Sequence, residues 1–217
     1  MVHIVIDLEM NPVNRDLKNV RRFLLDEVIE FGAVKLDEKY RPVSEFQSYV
    51  KPQFGTINKH ITQLTGITNE TVADKNVFAD EFKKFFDWIG TWDMTLYSWS
   101  PSDIKQLKAE CAYKIKNFNS ERLERQWIDL QKVFDDKIGL HSNLALKHAV
   151  GAMNRDFKGT QHTALADAAN TAAILTLMQD DEAFTRTMQP VIELLNPKGI
   201  SKSIGDLYPE LMNFKFD

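Results

Sequence analysis

Asp7-Leu8-Glu9 places two carboxylates two residues apart, directly after the apolar run Val2-His3-Ile4-Val5-Ile6. On a strand, alternate side chains share a face, so Asp7 and Glu9 project to the same side. Two acids at the end of a buried strand repel each other and must shed water, and a divalent cation is the obvious group to offset that cost. Hard cations take oxygen ligands, so further acids are the partners to look for. Asp103 lies in Ser100-Pro101-Ser102-Asp103, and Asp167 in His162-Thr163-Ala164-Leu165-Ala166-Asp167-Ala168. Asp103 has two readings. An acid in a helix's first turn stabilises that helix through its free amides and dipole, or this one, following a strand, hangs over the same sheet edge as Asp7 and Glu9. Asp167, one turn into an Ala-rich helix, either caps something or binds something. His162, just before that helix, can serve as a general base, because imidazole ordinarily titrates near neutral pH.

The elements that must position these groups follow from periodicity. Val2–Met10, Glu30–Leu36, Ser44–Val50, Met94–Trp99 and Trp127–Val133 read as strands, the second and third joined by a hairpin over 37–42. Between Asn11 and Asp26, Arg15, Lys18, Arg21 and Arg22 lie among scattered apolar residues. A solvated loop and helix is the favoured reading there, a phosphate-binding flap the other. A helical turn over 59–64 is stopped by Gly66. Phe78, Phe82, Phe85, Phe86 and Ile89 recur at helical spacing over 76–89 and form a core stripe. Ser100 as cap and Pro101 at the first position open a helix through Leu107 and Cys111. Further helices are expected over 142–153, capped by Ser142, over 163–178, where small residues permit close approach to a sheet edge, and over 180–195, cut by Pro190. The tail from Asn196 is expected to pack back through Ile204, Leu207 and Leu211. Three strands followed by strand–helix alternation imply a mixed five-stranded α/β sheet flanked by helices, with ligands at the strand ends.

The chain has 217 residues, 43% of them hydrophobic and 27% charged, the balance of a globular domain. The single Cys excludes an internal disulfide framework and suits a reducing cytoplasm, where the protein is expected. Cys111 has no ligand partners nearby, so no zinc site is expected. Neither an export signal nor a membrane span is read, and no membrane partner is expected. The net charge of −4 argues against a protein that coats a duplex. Four acids holding two divalent ions would cancel much of that charge. The expected mode is a grip on a few nucleotides near an end, with a shallow salt dependence.

In this order the motifs resemble those of the DEDDh 3′-to-5′ exonucleases, which have a ribonuclease-H-like fold. Asp7-Leu8-Glu9 is similar to their first motif, Asp103 to the second, and His162-x-Ala164-x-x-Asp167-Ala168 to the third. Glu30-Phe31, Gln63-Leu64-Thr65-Gly66-Ile67-Thr68 and Trp127-Ile128-Asp129-Leu130 look closest to the branch of histone-mRNA and enhanced-RNAi exoribonucleases and KapD-type proteins. The resemblance spans 2–177 and implies an exonuclease domain over 1–180, with 181–217 packed on it as an extension. It also implies two Mg²⁺ ions, with Mn²⁺ as a substitute. Asp7 would bridge both, Glu9 and Asp167 would complete the nucleophile-side ion, Asp103 would hold the other through water, and His162 would take the proton. The implied reaction is stepwise hydrolysis from the 3′ end of single-stranded RNA or DNA, RNA preferred, releasing nucleoside 5′-monophosphates. Leu8 and Met10 could pack on the terminal sugar or base, with core packing an equal alternative for Leu8. Trp99 could stack a base, a core or lid role being favoured. The rival readings are a regulator that uses the fold to contact a signalling partner, and a scavenger of very short oligoribonucleotides.

Overall fold

A computed structural model describes residues 1–119 and 121–195. The sheet is built from β1 (Val2–Pro12), β2 (Asp26–Leu36), β3 (Pro42–Tyr49), β4 (Met94–Ser98) and β5 (Trp127–Asp129). The helices are α1 (Lys18–Arg21), α2 (Lys59–Thr65), α3 (Asn69–Val72), α4 (Phe78–Ile89), α5 (Pro101–Lys114), α6 (Glu121–Arg125), α7 (Leu130–Ile138), α8 (Leu146–Ala152), α9 (Ala164–Met178) and α10 (Asp181–Leu195). The five strands run in the order β3-β2-β1-β4-β5. β1 is antiparallel to β2 and parallel to β4, and β4 is parallel to β5. Strand β1, rich in β-branched residues over Val2–Ile6, takes the centre, its apolar side chains buried on both faces.

The two faces of the sheet carry separate cores. Ile4, Ile6, Leu8, Phe31 and Ala33 pack with the aromatic stripe of α4 and with Ile104, Leu107 and Cys111 of α5. Val5, Val34 and Leu36 pack on the other face with α7, α8, α9 and α10. Since side chains alternate, Asp7 and Glu9 share the face of Val5, the α9 face.

Helix α9 lies over the face of β1 and β2, not along a sheet edge. Ala164, Ala168 and Ala172, at successive four-residue steps, are fully or almost fully buried. At Gly32, a Cβ would stand 2.0 Å from the Ala164 carbonyl carbon, so only glycine lets the start of α9 seat on β2. Gly32→Ala is expected to destabilise by about 3 kcal/mol or more, because the obstacle is backbone and cannot turn away. Thermal unfolding would show this, and an unchanged melting temperature would mean that α9 has room the structure does not give it.

Several expected boundaries shift. The strand expected over Trp127–Val133 stops at Asp129, whose Oδ1 accepts the Lys132 N–H and caps α7. Leu130, Phe134 and Ile138 then bury at helical, not strand, spacing. The helix expected from Ser142 begins at Leu146, with no side-chain cap. Leu144 is drawn out of it, donating its N–H to Asp135 Oδ2 and accepting from Trp99 Nε1 and Gln131 Nε2. Pro190 lies inside α10 and does not cut it. Arg186, one turn earlier, is exposed, so the carbonyl left without its donor faces water. The expected contacts of Ile204, Leu207 and Leu211 lie outside the described residues. Among the described residues, no helix is long and apolar enough to cross a membrane.

Candidate metal centre

Strand β1 delivers the first two acids. Asp7 stands opposite Gly32 and Glu9 opposite Glu30 in the β1–β2 ladder, and the register slips between Glu9 and Met10. That irregularity leaves Ile29 unmatched beside the acids, a device that re-aims side chains at a strand end. Asp103 arrives from the other face of the sheet. Strand β4 ends at Ser98, Ser100 caps α5, and Asp103 in its first turn accepts the Leu8 N–H at 3.0 Å. The amide between Asp7 and Glu9 is thus tied to the third acid.

Asp167 descends from α9. Its Oδ2 accepts the His162 N–H at 3.2 Å, while its Oδ1 is buried with no hydrogen-bond partner. His162 has φ +62, a left-handed conformation that His tolerates better than most residues. One ligand atom each from Glu9, His162 and Asp167 lie within 4.8 Å of one another. The imidazole is exposed and borders a cavity of about 230 Å³ shared with Lys147, His148, Phe157 and Asp167.

The electrostatics show that the acids converge. Burial, then the charges of Asp103, Asp167, Glu9 and Glu30, drive the Asp7 carboxyl well above its ordinary range. Glu9 is pushed to about 8 by burial and by Asp167, Glu30 and Asp103. Asp103 rises to about 7, mainly through burial and against the hydrogen bond from Leu8. Asp167 rises to about 6 through burial, opposed by His162. Among the described residues, no Lys or Arg pairs with any of these groups. The contrast is the second buried acid pair, Glu27 and Glu110, where Lys114 Nζ lies 2.7 and 2.6 Å from the two carboxylates. There the protein supplies its own cation. Around Asp7, among the described residues, it supplies none, and Asp167 Oδ1 is left buried without a hydrogen-bond partner. The donor set, oxygen-rich and uncompensated, fits hard divalent ions.

These raised values make the metal-free protein sensitive to pH. These four carboxyls bind more protons in the folded chain than in the unfolded one from about pH 4 to about pH 8, so the stability they contribute is fully present at the acid end and is lost as pH rises through that window. In chelator, the melting temperature is expected to fall between about pH 5 and 8. Divalent metal at about a hundredfold its dissociation constant should return about 2.7 kcal/mol. A melting temperature indifferent to both pH and metal would exclude a shared site.

All five residues expected from the sequence meet here. For two of the substrate-contact candidates the structure shows the core alternative. Leu8 is 5% exposed and points to the α4–α5 core, on the face opposite the acids. Trp99 is 7% exposed, packs on Phe134 and commits its indole N–H to Leu144, so no ring face is free for a base. Met10 packs on Leu8's side, half-buried.

Glu30 was not singled out by the sequence as part of the site. Its Oε2 accepts the Ala164 N–H at 3.2 Å, and its Oε1 accepts from Gln47 Nε2 at 2.6 Å. Thr163 gives α9 no side-chain cap, so Glu30 caps that helix from a neighbouring strand and sets the height of Asp167. The available signal was an acid inside the otherwise apolar run Val28-Ile29-Glu30-Phe31-Gly32-Ala33-Val34.

The mixed five-stranded sheet and its flanking helices match the ribonuclease-H-like exonuclease fold. A family model described as Exonuclease matches residues 4–175, and the chain belongs to that family, which is metal-dependent. The chain is 26% identical to the human 3'-5' exoribonuclease 1 (Homo sapiens) over 174 residues, 71% of this chain and 47% of that protein. It is also 26% identical to the probable 3'-5' exonuclease KapD of Bacillus subtilis over 189 residues, covering 86% and 89%. The chain spans about half the length of the mammalian exoribonucleases it matches. Among solved structures, the nuclease domain of 3'hExo, a DEDDh family member bound to rAMP, superposes with a TM-score of 0.71 at 23% identity, covering 83% of this chain and 92% of that one.

Proposed function

We propose that the chain is a metal-dependent 3′-to-5′ exonuclease that shortens single-stranded nucleic acid, RNA preferred, and releases nucleoside 5′-monophosphates. The observation that carries this reading is the convergence of four desolvated carboxylates, none paired with a Lys or Arg among the described residues, from β1, α5 and α9 with His162 at their rim. Asp7, Glu9, Asp103 and Asp167 would hold two Mg²⁺ ions, or Mn²⁺ in their place. When bound, such ions make water a nucleophile at neutral pH and neutralise the leaving oxygen.

The chain's own residues do the rest. Asp103 fixes the Leu8 amide and with it the spacing of Asp7 and Glu9. Glu30 and Gly32 hold α9 down so that Asp167 faces them. A ring nitrogen of His162 accepts the proton of the attacking water, and the exposed loop position lets the proton leave to solvent. The exoribonuclease names of the mammalian relatives support RNA as substrate and favour catalysis over a purely regulatory role.

End-labelled single-stranded RNA and DNA, incubated with Mg²⁺ or Mn²⁺ and then with chelator, test the reading. Stepwise loss from the 3′ end, abolished by chelator and faster on RNA, is the expected result. No turnover with either metal would leave the regulator. Turnover confined to di- through pentanucleotides would make the chain a scavenger.

A further inference from the structure

The segment joining β1 to β2, Asn14-Arg15-Asp16-Leu17-Lys18-Asn19-Val20-Arg21-Arg22-Phe23-Leu24-Leu25, carries four cations and one acid in a chain of net charge −4. Among the described residues, none of the four forms an ion pair. Arg21 spends its guanidinium on the Val13 carbonyl at 2.7 Å, while Arg15, Lys18 and Arg22 are exposed. Beside them the surface is apolar. Phe23 is 70% exposed, Leu25 58% and Tyr113 40%. The rings of Phe23 and Tyr113 lie near-parallel with centroids 6.3 Å apart, and Tyr113 meets Phe54 edge-on at 5.7 Å. Isolated exposed apolar residues are ordinary, but facing aromatic rings set among unpaired cations are the composition of a surface that stacks bases and neutralises phosphates.

The surface is braced and continuous with the metal centre. Val13 and Asn14 donate to the carbonyls of Leu25 and Phe54, and buried Asn11 bonds to Thr56 and Asn58. Between these segments opens a cavity of about 390 Å³ lined by Val13, Arg15, Asp16, Gly55, Thr56 and Asn58. Its near wall, Pro12, is three residues beyond Glu9 on one strand, hence about 10 Å away. A strand whose 3′ end lies on the acids can therefore reach this cavity, whose Gly55 adjoins Phe54 and, through that ring, Tyr113.

We propose that the cavity and the Phe23–Tyr113 surface hold the nucleotides upstream of the scissile bond, with Arg15, Lys18 and Arg22 on phosphates and Phe23 and Tyr113 on bases. The proposal rests on the exonuclease reading for its direction and reverses the solvated-loop reading of this segment.

Fluorescence anisotropy of the full chain with single-stranded RNA from dinucleotides upward, in chelator, reads binding apart from hydrolysis. Wild-type affinity should rise with length, and Phe23→Ala should weaken binding of longer strands about tenfold. Arg15→Ala with Arg22→Ala should reduce the slope of log affinity against log salt by about 1.4. Equal binding of long strands by wild type and variants overturns the proposal. So does Phe23→Ala converting a dimer to a monomer in sedimentation without altering RNA binding, which would assign the patch to a second copy. Length-dependent binding with no cleavage in any metal would defeat the exonuclease reading and leave the strand-binding surface standing.

Discussion

Asp7→Asn is expected to reduce turnover by about a thousandfold or more and, in chelator, to raise the melting temperature. The two effects share one cause. Asp7 is desolvated by burial and is repelled by more neighbours than the other site acids, namely Asp103, Asp167, Glu9 and Glu30. Asparagine keeps the shape and removes the charge, so the metal-free fold loses a repulsion it tolerates only for function. The same charge is needed to hold hard cations, whose stabilisation of the transition state is worth several kcal/mol, and each 1.36 kcal/mol is about tenfold in rate. The variant should also lose the stabilisation that divalent metal gives the wild type. A less stable metal-free variant would show that Asp7 serves the fold and not the site.

His162→Asn is expected to lower kcat by about a hundredfold to ten-thousandfold, the usual worth of a positioned general base. Asparagine is chosen because position 162 has φ +62, a conformation it accepts, so the turn and the amide bond to Asp167 survive. Metal affinity and melting temperature should stay close to wild type, which separates a proton acceptor from a ligand. A variant that keeps the wild-type kcat would remove His162 from the role.

Much of this site was legible in the chain because its parts are local. Asp7-Leu8-Glu9 needs only the two-residue period of a strand, and Ser100-Pro101-Ser102-Asp103 writes out its own cap and first turn. What was not legible is tertiary. Glu30 acts by reaching Ala164 across 134 residues, and nothing near it in sequence announces a helix to be capped. Gly32 looks like any strand glycine until α9 is laid over it. For Leu8 the sequence leaves substrate contact and core packing even, and for Trp99 it favours a core or lid role; alternation sends Leu8 to the face opposite the acids, and Leu144 claims the Trp99 indole. The strand–helix boundary at Asp129 was misplaced for a related reason. Leu130 and Val133 suit either element, and only burial of Leu130, Phe134 and Ile138 along one face decides between them.

Everything in the mechanism depends on separate segments building one cage for hard cations. Crystals grown with Mn²⁺ and a nucleoside 5′-monophosphate, measured for anomalous scattering at the manganese edge, test it most directly. The expected map has two peaks among the carboxylates of Asp7, Glu9, Asp103 and Asp167, with the His162 ring turned toward the phosphate. A map with no peak there at saturating Mn²⁺, or with Mn²⁺ only at other surface acids, would contradict the account.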